Sequence, residues 1–311
     1  MTAILTAPVV KDSLQNSPAR RAPRGALAGW AFASPAIALL LAFLIFPFLL
    51  ALVFSFTNLR FASPLPTRFV GLDNYTDLFS DPEFLQALVN NIVFTAVIVP
   101  VQTAVALGLA LAANQRLRGI TVFRAIFFSP VVAGLSVAAT IWFLLYDPNQ
   151  GLINGMLRFL SGGRLESQWL QSPTMALPAI IVMSIWASAG FQMIILLAAL
   201  QDVSVELHEA ASLDGANRLQ RFRYITLPAI RNTLIFVATV TTVYAFRLFD
   251  QVYIMTNGGP SGHTNTILLQ LVKVGYERSR VGSASALAVV FFLIVLGITL
   301  LQRRLVKERQ D

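Results

Sequence analysis

The segment Glu209–Ala216 carries polar side chains between two long apolar stretches of the chain. Glu209 to Leu213 is typical of a helix, and Gly215 permits a turn that a β-carbon would strain. Asp214 offers a carboxylate that can accept hydrogen bonds from free N–H groups where the chain re-enters a helix. We therefore expect a polar helical hairpin that projects from a membrane-embedded body.

Side chains that could catalyse a reaction are few and stand in no catalytic pattern. The chain has no cysteine and only two histidines, His208 and His263. Its lysines, Lys11, Lys273 and Lys307, lie in no G-x-x-x-x-G-K-[ST] phosphate loop, and neither H-E-x-x-H nor G-x-S-x-G occurs. The sequence therefore predicts no catalytic residue, no metal site and no ATP-binding site in this chain.

The apolar composition indicates an integral membrane protein. Of 311 residues, 56% are hydrophobic and only 12% are charged. A helix of about twenty apolar residues crosses the hydrocarbon core of a bilayer. The charge-free runs are Gly25–Leu59, Phe84–Gln115, Ala125–Tyr146, Gln168–Gln201, Asn232–Phe246 and Val281–Gln302. We predict an all-α domain over 29–303 with six transmembrane helices, at approximately 29–55, 86–112, 123–146, 174–200, 229–251 and 284–302.

Basic residues concentrate in alternate connections, which predicts the orientation in the membrane. They are dense before the first run, around Arg116–Arg124, and after the last run, whereas Arg60–Leu85 is richer in acidic residues. Loops rich in Lys and Arg stay in the cytoplasm. We therefore expect cytoplasmic tails at 1–28 and 304–311, and a cytoplasmic loop around Glu209. The net charge of +8 then reflects membrane topology and not nucleic-acid binding.

The pattern E-A-A-x-x-D-G-A at Glu209–Ala216, continued by Phe222, Ile225 and Leu227-Pro228, resembles the EAA loop of binding-protein-dependent ABC-transporter permeases. In that family the loop is the coupling helix, which seats in a groove of a separate ATPase subunit. The alternative is a solvated loop that merely joins two membrane helices. The resemblance assigns ATPase coupling to Glu209, Ala210, Ala211, Leu213, Asp214, Gly215 and Ala216.

A second motif, F-D-x-x-Y-x-x-T-x-G-G-P at Phe249–Pro260, is similar to the carbohydrate-importing group of the same family. Its Gly-Gly-Pro end cannot continue a helix, so we expect a tight turn there. Gly71–Tyr75 and Gly151–Asn154 also resemble family segments. The resemblance implies a bacterial inner-membrane permease that imports a mono- or oligosaccharide or a polyol.

Resemblance to the maltose permease places a sugar pocket on the fourth and fifth helices. Aromatic rings stack on sugars, and polar groups bind their hydroxyls. Packing between helices is the alternative role for the same side chains. The pocket positions are Ala187, Ser188, Phe191, Gln192, Thr241, Tyr244, Ala245 and Leu248. Ala245 and Leu248 replace more polar family residues, which predicts a weak site or one that a partner subunit largely supplies.

Arg247 and Asp250 are three residues apart at the predicted outer end of the fifth helix. At that spacing on a helix they can form an ion pair, which favours a neutral sugar as the substrate. Alternatively, Arg247 binds an anionic substrate such as a glycerophosphate or uronate.

The resemblance also implies the partners of the chain. They are a second homologous permease subunit in a heterodimer, two ATPase subunits that bind ATP and Mg²⁺, and an external solute-binding protein. This chain lacks the extra helices and large periplasmic insertion of the maltose member, so maltose itself is not assigned. A secondary carrier or a passive channel is the alternative class, but the charge-free runs hold no ionisable residue to drive a carrier.

Overall fold

The described part of the chain folds almost entirely into α-helices, which confirms the predicted fold class. The computed structural model describes residues 24–61, 63–64, 66–115 and 117–307. Across these ranges no β-structure is found beyond an isolated bridge between Thr57 and Phe69. The helices are α1 (Arg24–Leu40), α2 (Phe46–Phe54), α3 (Asp73–Ser80), α4 (Pro82–Ala113), α5 (Ile120–Ala133), α6 (Leu135–Leu145), α7 (Leu152–Ser161), α8 (Ala176–Gln201), α9 (Val205–Leu213), α10 (Arg218–Arg221), α11 (Leu227–Ala229), α12 (Arg231–Phe246), α13 (Asp250–Met255), α14 (Ile267–Val272) and α15 (Val281–Lys307).

The chain divides into two compact units, with the boundary after Leu50. The first unit holds α1, the π-helical turn Leu41–Ile45 and the start of α2. Helix α1 begins at Arg24, inside the predicted tail 1–28, whose residues 1–23 lie outside the described ranges. The second unit holds all later elements. Its last helix, α15, continues to Lys307, and 308–311 of the predicted tail 304–311 lie outside the described ranges.

The helices suffice for six membrane spans when bent pairs are counted as one. Within the described part of the chain, four helices are long and apolar enough to cross a membrane alone: Gly29–Phe54, Pro82–Ala113, Ala176–Gln201 and Val281–Gln302. Two bent pairs qualify jointly: Ile120–Ala133 with Leu135–Leu145, and Arg218–Ala229 with Arg231–Phe246.

Local backbone chemistry accounts for the two bends. The predicted third helix, 123–146, is in fact two helices that meet at 101°, at Gly134. Gly134 has a φ of +74°, which favours glycine over any residue with a Cβ. The fifth span bends by 67° at Ile230, whose φ of −90° and ψ of 3° lie outside the helical values. Pro228, just before it, lacks the N–H that a regular helix needs.

Helix α8 is the central helix of the second unit and packs against α4, α5, α6, α12 and α13. Its side chains Ile180, Met183 and Leu196 are fully buried. Gly190 allows α5 to approach closely, because a Cβ there would lie 1.9 Å from the carbonyl oxygen of Phe127. Small residues permit such close packing of membrane helices. This packing fixes the part of α8 that forms the site described next.

Candidate functional site

A cavity of about 430 Å³ lies beside the middle of α8 and is lined by residues of α4, α5, α6, α8, α12 and α13. Its volume is within the range of small-molecule sites, roughly 300–1,000 Å³. The pathway residues named from the sequence all line it: Ala187, Ser188, Phe191, Gln192, Thr241, Tyr244, Ala245 and Leu248. The structure thus brings these residues together, while their role in transport stays a prediction.

Helical spacing brings the α8 residues of the cavity onto one face of that helix. Ser184, Ala187, Ser188 and Phe191 follow one another at the three- and four-residue steps of a helical stripe. Phe191 is exposed and presents its ring to the cavity, whereas Ser184 and Ala187 are buried. The α8 wall therefore combines an aromatic surface with hydroxyl groups.

Gln192 and Thr241 join the two walls of the cavity. The Thr241 hydroxyl donates to the Val237 carbonyl at 2.7 Å, so its oxygen is left to accept a bond from Nε2 of Gln192, at 2.6 Å. This arrangement fixes the side-chain amide, and the buried Oε1 of Gln192 has no hydrogen-bond partner. The pair thus performs the interhelical packing considered as the alternative.

The helix that carries Thr241 is broken where it passes the cavity. Helix α12 ends at Phe246 and α13 begins at Asp250. Arg247 and Asp250 both line the cavity, but no ion pair joins them in the described part of the chain. The predicted pair is therefore not formed, because its three-residue spacing requires a continuous helix. Both charged groups remain at the cavity wall.

Two side chains from outside the broken helix hold this segment in place. The buried Asn91 of α4 donates to the carbonyls of the last two residues of α12, at 3.4 and 3.3 Å. Its Oδ1 accepts a bond from the N–H of Ile267, at 2.9 Å. The hydroxyl of Thr266 donates to the Leu248 carbonyl, also at 2.9 Å. Backbone groups that the break frees are thereby satisfied within the protein, as a membrane interior requires.

Helices α4 and α13 also contribute to the cavity, which was not predicted from the sequence. Phe94, Ile98 and Gln102 of α4 line it, as does Gln251 of α13. Gln102 and Asn91 are polar residues within a long charge-free run, and this could have indicated that α4 contributes to the site. Polar side chains inside a membrane span commonly bond to neighbouring helices, and Asn91 does so here.

The predicted hairpin is formed by α9, a turn and α10. Ser204 caps the start of α9 by accepting the N–H of Glu206 at 3.2 Å. After α9, Gly215 adopts a φ of +79°, and the N–H of Ala216 returns to the carbonyl of Ala211 at 2.9 Å. A glycine in this conformation is a common end of a helix. The turn expected at Gly215 is therefore present.

The cap of the second arm differs from the prediction. Asp214 ends α9, and the residue that caps α10 is Asn217. Asn217 Oδ1 accepts the N–H of Gln220 at 2.9 Å, and the Gln220 side chain accepts the N–H of Asn217 at 2.8 Å. This reciprocal capping box makes Asn217, and not Asp214, the residue that caps α10.

The hairpin exposes its assigned coupling residues. Glu209, Ala210, Asp214 and Gly215 are exposed, and Ala211 and Ala216 are half-buried. Leu213 is 90% exposed, which is unusual for a large apolar side chain next to a turn. Exposed apolar side chains that cluster on one element mark interaction surfaces. The hairpin is thus suited to bind another protein.

The hairpin connects two helices that both line the cavity. Helix α8 runs into α9 after Gln201, and the second arm, Arg218–Ala229, runs into α12. The hairpin is therefore joined by short stretches of chain to Gln192 of α8 and to Thr241 of α12, which bond to each other.

An all-helical membrane body with a mid-span cavity and a protruding hairpin between the cavity helices defines a transport permease. Residues 80–310 match the family described as the binding-protein-dependent transport system inner membrane component, and the chain belongs to that family. It is a multi-pass membrane permease of an ABC transport system that works with a binding protein.

Individual relatives match over most of their length. The trehalose/maltose transport system permease protein MalF of Thermococcus litoralis is 34% identical over 289 residues, which are 93% of this chain and 96% of that protein. The sn-glycerol-3-phosphate transport system permease protein UgpA of Yersinia pestis is 32% identical over 248 residues, with 79% and 82% covered. A chain of a bacterial ABC transporter for the acidic polysaccharide alginate has the same fold, with a TM-score of 0.81, 23% identity and 93% and 98% coverage.

Proposed function

We propose that this chain is one of two permease subunits that import a carbohydrate delivered by an external binding protein. The observation that carries the proposal is the cavity, since residues assigned to a sugar pathway from two separate helices line one space. The similarity to a trehalose/maltose permease over 93% of the chain supports a sugar as the substrate.

The chemistry of the cavity suits a sugar. Phe191 and Tyr244 expose rings that can stack on the C–H face of a pyranose. Ser188 lines the cavity and offers a hydroxyl group that can bond to a sugar. We infer that a second, homologous permease subunit completes the cavity in a heterodimer.

ATP hydrolysis belongs to separate subunits in this proposal. The hairpin docks one of two ATPase subunits, which bind ATP and Mg²⁺, and this chain binds no cofactor of its own. Leu213 and Glu209 support this assignment, since both side chains are exposed on the hairpin. Domain 29–303 forms the membrane body. Both tails and the hairpin lie on the cytoplasmic side of a bacterial inner membrane.

The orientation can be tested with single cysteines, because the natural chain has none. Arg164 and Ser212 are both exposed and lie on connections at opposite ends of α8. An impermeant thiol reagent added outside intact cells should label Arg164→Cys and spare Ser212→Cys. Labelling in the reverse pattern would place the hairpin outside and contradict the proposal.

The sugar assignment is tested by uptake in the assembled transporter, with trehalose, maltose and glycerol 3-phosphate as the panel. Phe191→Ala should strongly reduce uptake of the transported sugar because it removes the stacking surface. Val182→Ala is the matched control on α8, since Val182 is exposed but does not line the cavity. Equal uptake by both variants would contradict a sugar site at this cavity.

A second candidate substrate is an anionic sugar derivative such as a glycerophosphate. Arg247 favours it, because this guanidinium lines the cavity without the ion pair that would neutralise it. Similarity to UgpA adds support. For an anionic substrate, Arg247→Gln should abolish uptake of glycerol 3-phosphate and leave trehalose and maltose uptake unchanged, with Asp250→Asn as the control. For a neutral sugar, Arg247→Gln should affect the panel evenly.

A further inference from the structure

Helix α7 has its polar side turned towards the protein. Asn154 is buried, and its Nδ2 donates to the carbonyls of Pro148 and Ser167, at 3.1 and 2.8 Å. Its Oδ1 accepts the indole N–H of Trp169 at 2.9 Å. One turn later, Arg158 donates to the Asn149 carbonyl at 2.8 Å. These bonds fix which face of α7 meets the rest of the chain.

The opposite side of α7 is apolar and uncovered. Leu152, Met156, Phe159 and Leu160 are 62%, 58%, 87% and 79% exposed. Their spacing of four, three and one residues places them on one helical stripe. A surface helix of a water-soluble protein has the reverse arrangement, with polar residues outward. The medium that faces this stripe must therefore be apolar.

An aromatic cluster lies beside α7. Trp142, Tyr146 and Trp169 form a row with ring centroids 5.3 and 5.5 Å apart, in which Tyr146 is buried and the two tryptophans are half-buried. Trp169 is bonded to Asn154, so α7 is fixed to this cluster. Trp and Tyr concentrate at membrane–water interfaces, which favours an interfacial depth for α7.

The position of α7 along the chain agrees with an interfacial depth. It lies between the end of α6 and the start of α8, whereas the coupling hairpin follows the other end of α8. Helix α8 has 26 residues, and such a helix is about 39 Å long at 1.5 Å per residue, which spans a bilayer. Leu144, near the end of α6, is also exposed and apolar, so the uncovered surface of α7 continues that of a membrane span.

We propose that α7 is an interfacial helix, and that its apolar stripe inserts into the phospholipid leaflet on the side opposite the coupling hairpin. Amphipathic helices of this kind lie in the plane of the membrane with their apolar face about 5–10 Å into the headgroup–acyl boundary. The occupant of the stripe is thus lipid. Through the bonds of Asn154 and Arg158, α7 anchors the turn at 147–149 and the segment before α8 to the membrane surface.

The cysteine-free chain allows a direct test by spin labelling of the assembled transporter in phospholipid nanodiscs. One variant carries a nitroxide at Phe159→Cys on the stripe, and its control carries one at Arg164→Cys in the exposed turn after α7. Dissolved oxygen partitions into lipid, and a nickel chelate stays in water. At 159 the oxygen collision rate should exceed the nickel rate several-fold, and at 164 the nickel rate should dominate.

Two results at position 159 would overturn the proposal. Frequent nickel collisions would show that the stripe faces water. Low collision rates with both reagents would show that protein covers it, for example a second permease subunit. Met156→Cys on the same stripe repeats the measurement independently of Phe159, and lipids brominated near the glycerol should quench a fluorophore attached at either position.

Discussion

The hairpin of α9, the Gly215 turn and α10 differs from the cavity in the range of the hydrogen bonds that hold it. In the hairpin, Ala216 bonds to Ala211, and Asn217 bonds to Gln220, so every bond closes within five residues of chain. In the cavity wall, Gln192 bonds to Thr241 across 49 residues, and Asn91 bonds to Ile267 across 176.

This difference means that substitutions in the hairpin and in the cavity wall should have different effects on folding. A hairpin whose bonds are local can lose its exposed side chains without disturbing the membrane body. The cavity has no such independence, since the bonds that shape it also join α4 to α12 and to α14. Substitutions in the two regions should therefore affect different properties.

The largest effect is expected for Gly190, where the cavity helix meets α5. Gly190→Val would place a Cβ 1.9 Å from a backbone oxygen that cannot move aside, so the chain should fail to accumulate in a folded state. Gly108→Ala is the control, since a Cβ there meets nothing within 4 Å. Thermal unfolding in detergent measures both. A folded Gly190→Val with an unchanged Tm would show that α5 and α8 are not in this contact.

Removal of a long-range bond should cost more than removal of a local one on the same helix. Asn91→Leu removes the partner of the N–H of Ile267 and of the Phe246 carbonyl, and each buried unpaired group costs about 1–3 kcal/mol. Thr95→Val removes only a bond to the Asn91 carbonyl within α4. Chemical denaturation compares them. Equal losses of stability would remove the distinction between the two kinds of bond.

Strain in the hairpin should impair coupling and leave the membrane body stable. Gly215 has a φ of +79°, and a left-handed conformation costs a residue with a Cβ about 1–2 kcal/mol. We expect Gly215→Val to lower uptake and ATPase co-purification at an unchanged Tm, and Gly215→Asn to retain both, because asparagine tolerates this conformation. A lower Tm with normal uptake would indicate that the hairpin supports folding instead.

The smallest effect is expected between Arg247 and Asp250. Because the helix is broken between them, Arg247→Ala and Asp250→Ala should change stability additively, to within about 0.5 kcal/mol. Reversal of both charges should rescue neither single reversal. A coupling energy well above that limit in a double-mutant cycle would show that Arg247 and Asp250 do form an ion pair.

The hairpin could be predicted from the sequence because its structure is local. Glu209 to Gly215 contains both the helix and the glycine that ends it, and both were found where expected. The prediction of the α10 cap was wrong because two polar residues, Asp214 and Asn217, both lie close enough to the start of α10 in the sequence to cap it. Only Asn217 has a glutamine three residues later to complete a capping box.

Only some features of the cavity could be predicted from the sequence, because the others depend on contacts between distant segments. The stripe of α8 residues follows from helical period, and the resemblance supplied the positions on α12. The break after Phe246 could not be read from the charge-free run, since it is stabilised by Asn91, which lies more than 150 residues earlier. The predicted ion pair between Arg247 and Asp250 is not formed, because this break lies between the two helices that they adjoin. Gly134 bends the third span, although glycine within an apolar run is also compatible with a straight helix.

The 67° bend at Ile230 determines how a mechanical load on the hairpin would act on the cavity. The arm Arg218–Ala229 and helix α12 are far from parallel, so a force along the arm has a larger component across α12 than along it. Such a load would displace Thr241 and Tyr244 mainly sideways. A push on the hairpin would thus move the cavity residues of α12 across the axis of that helix more than along it.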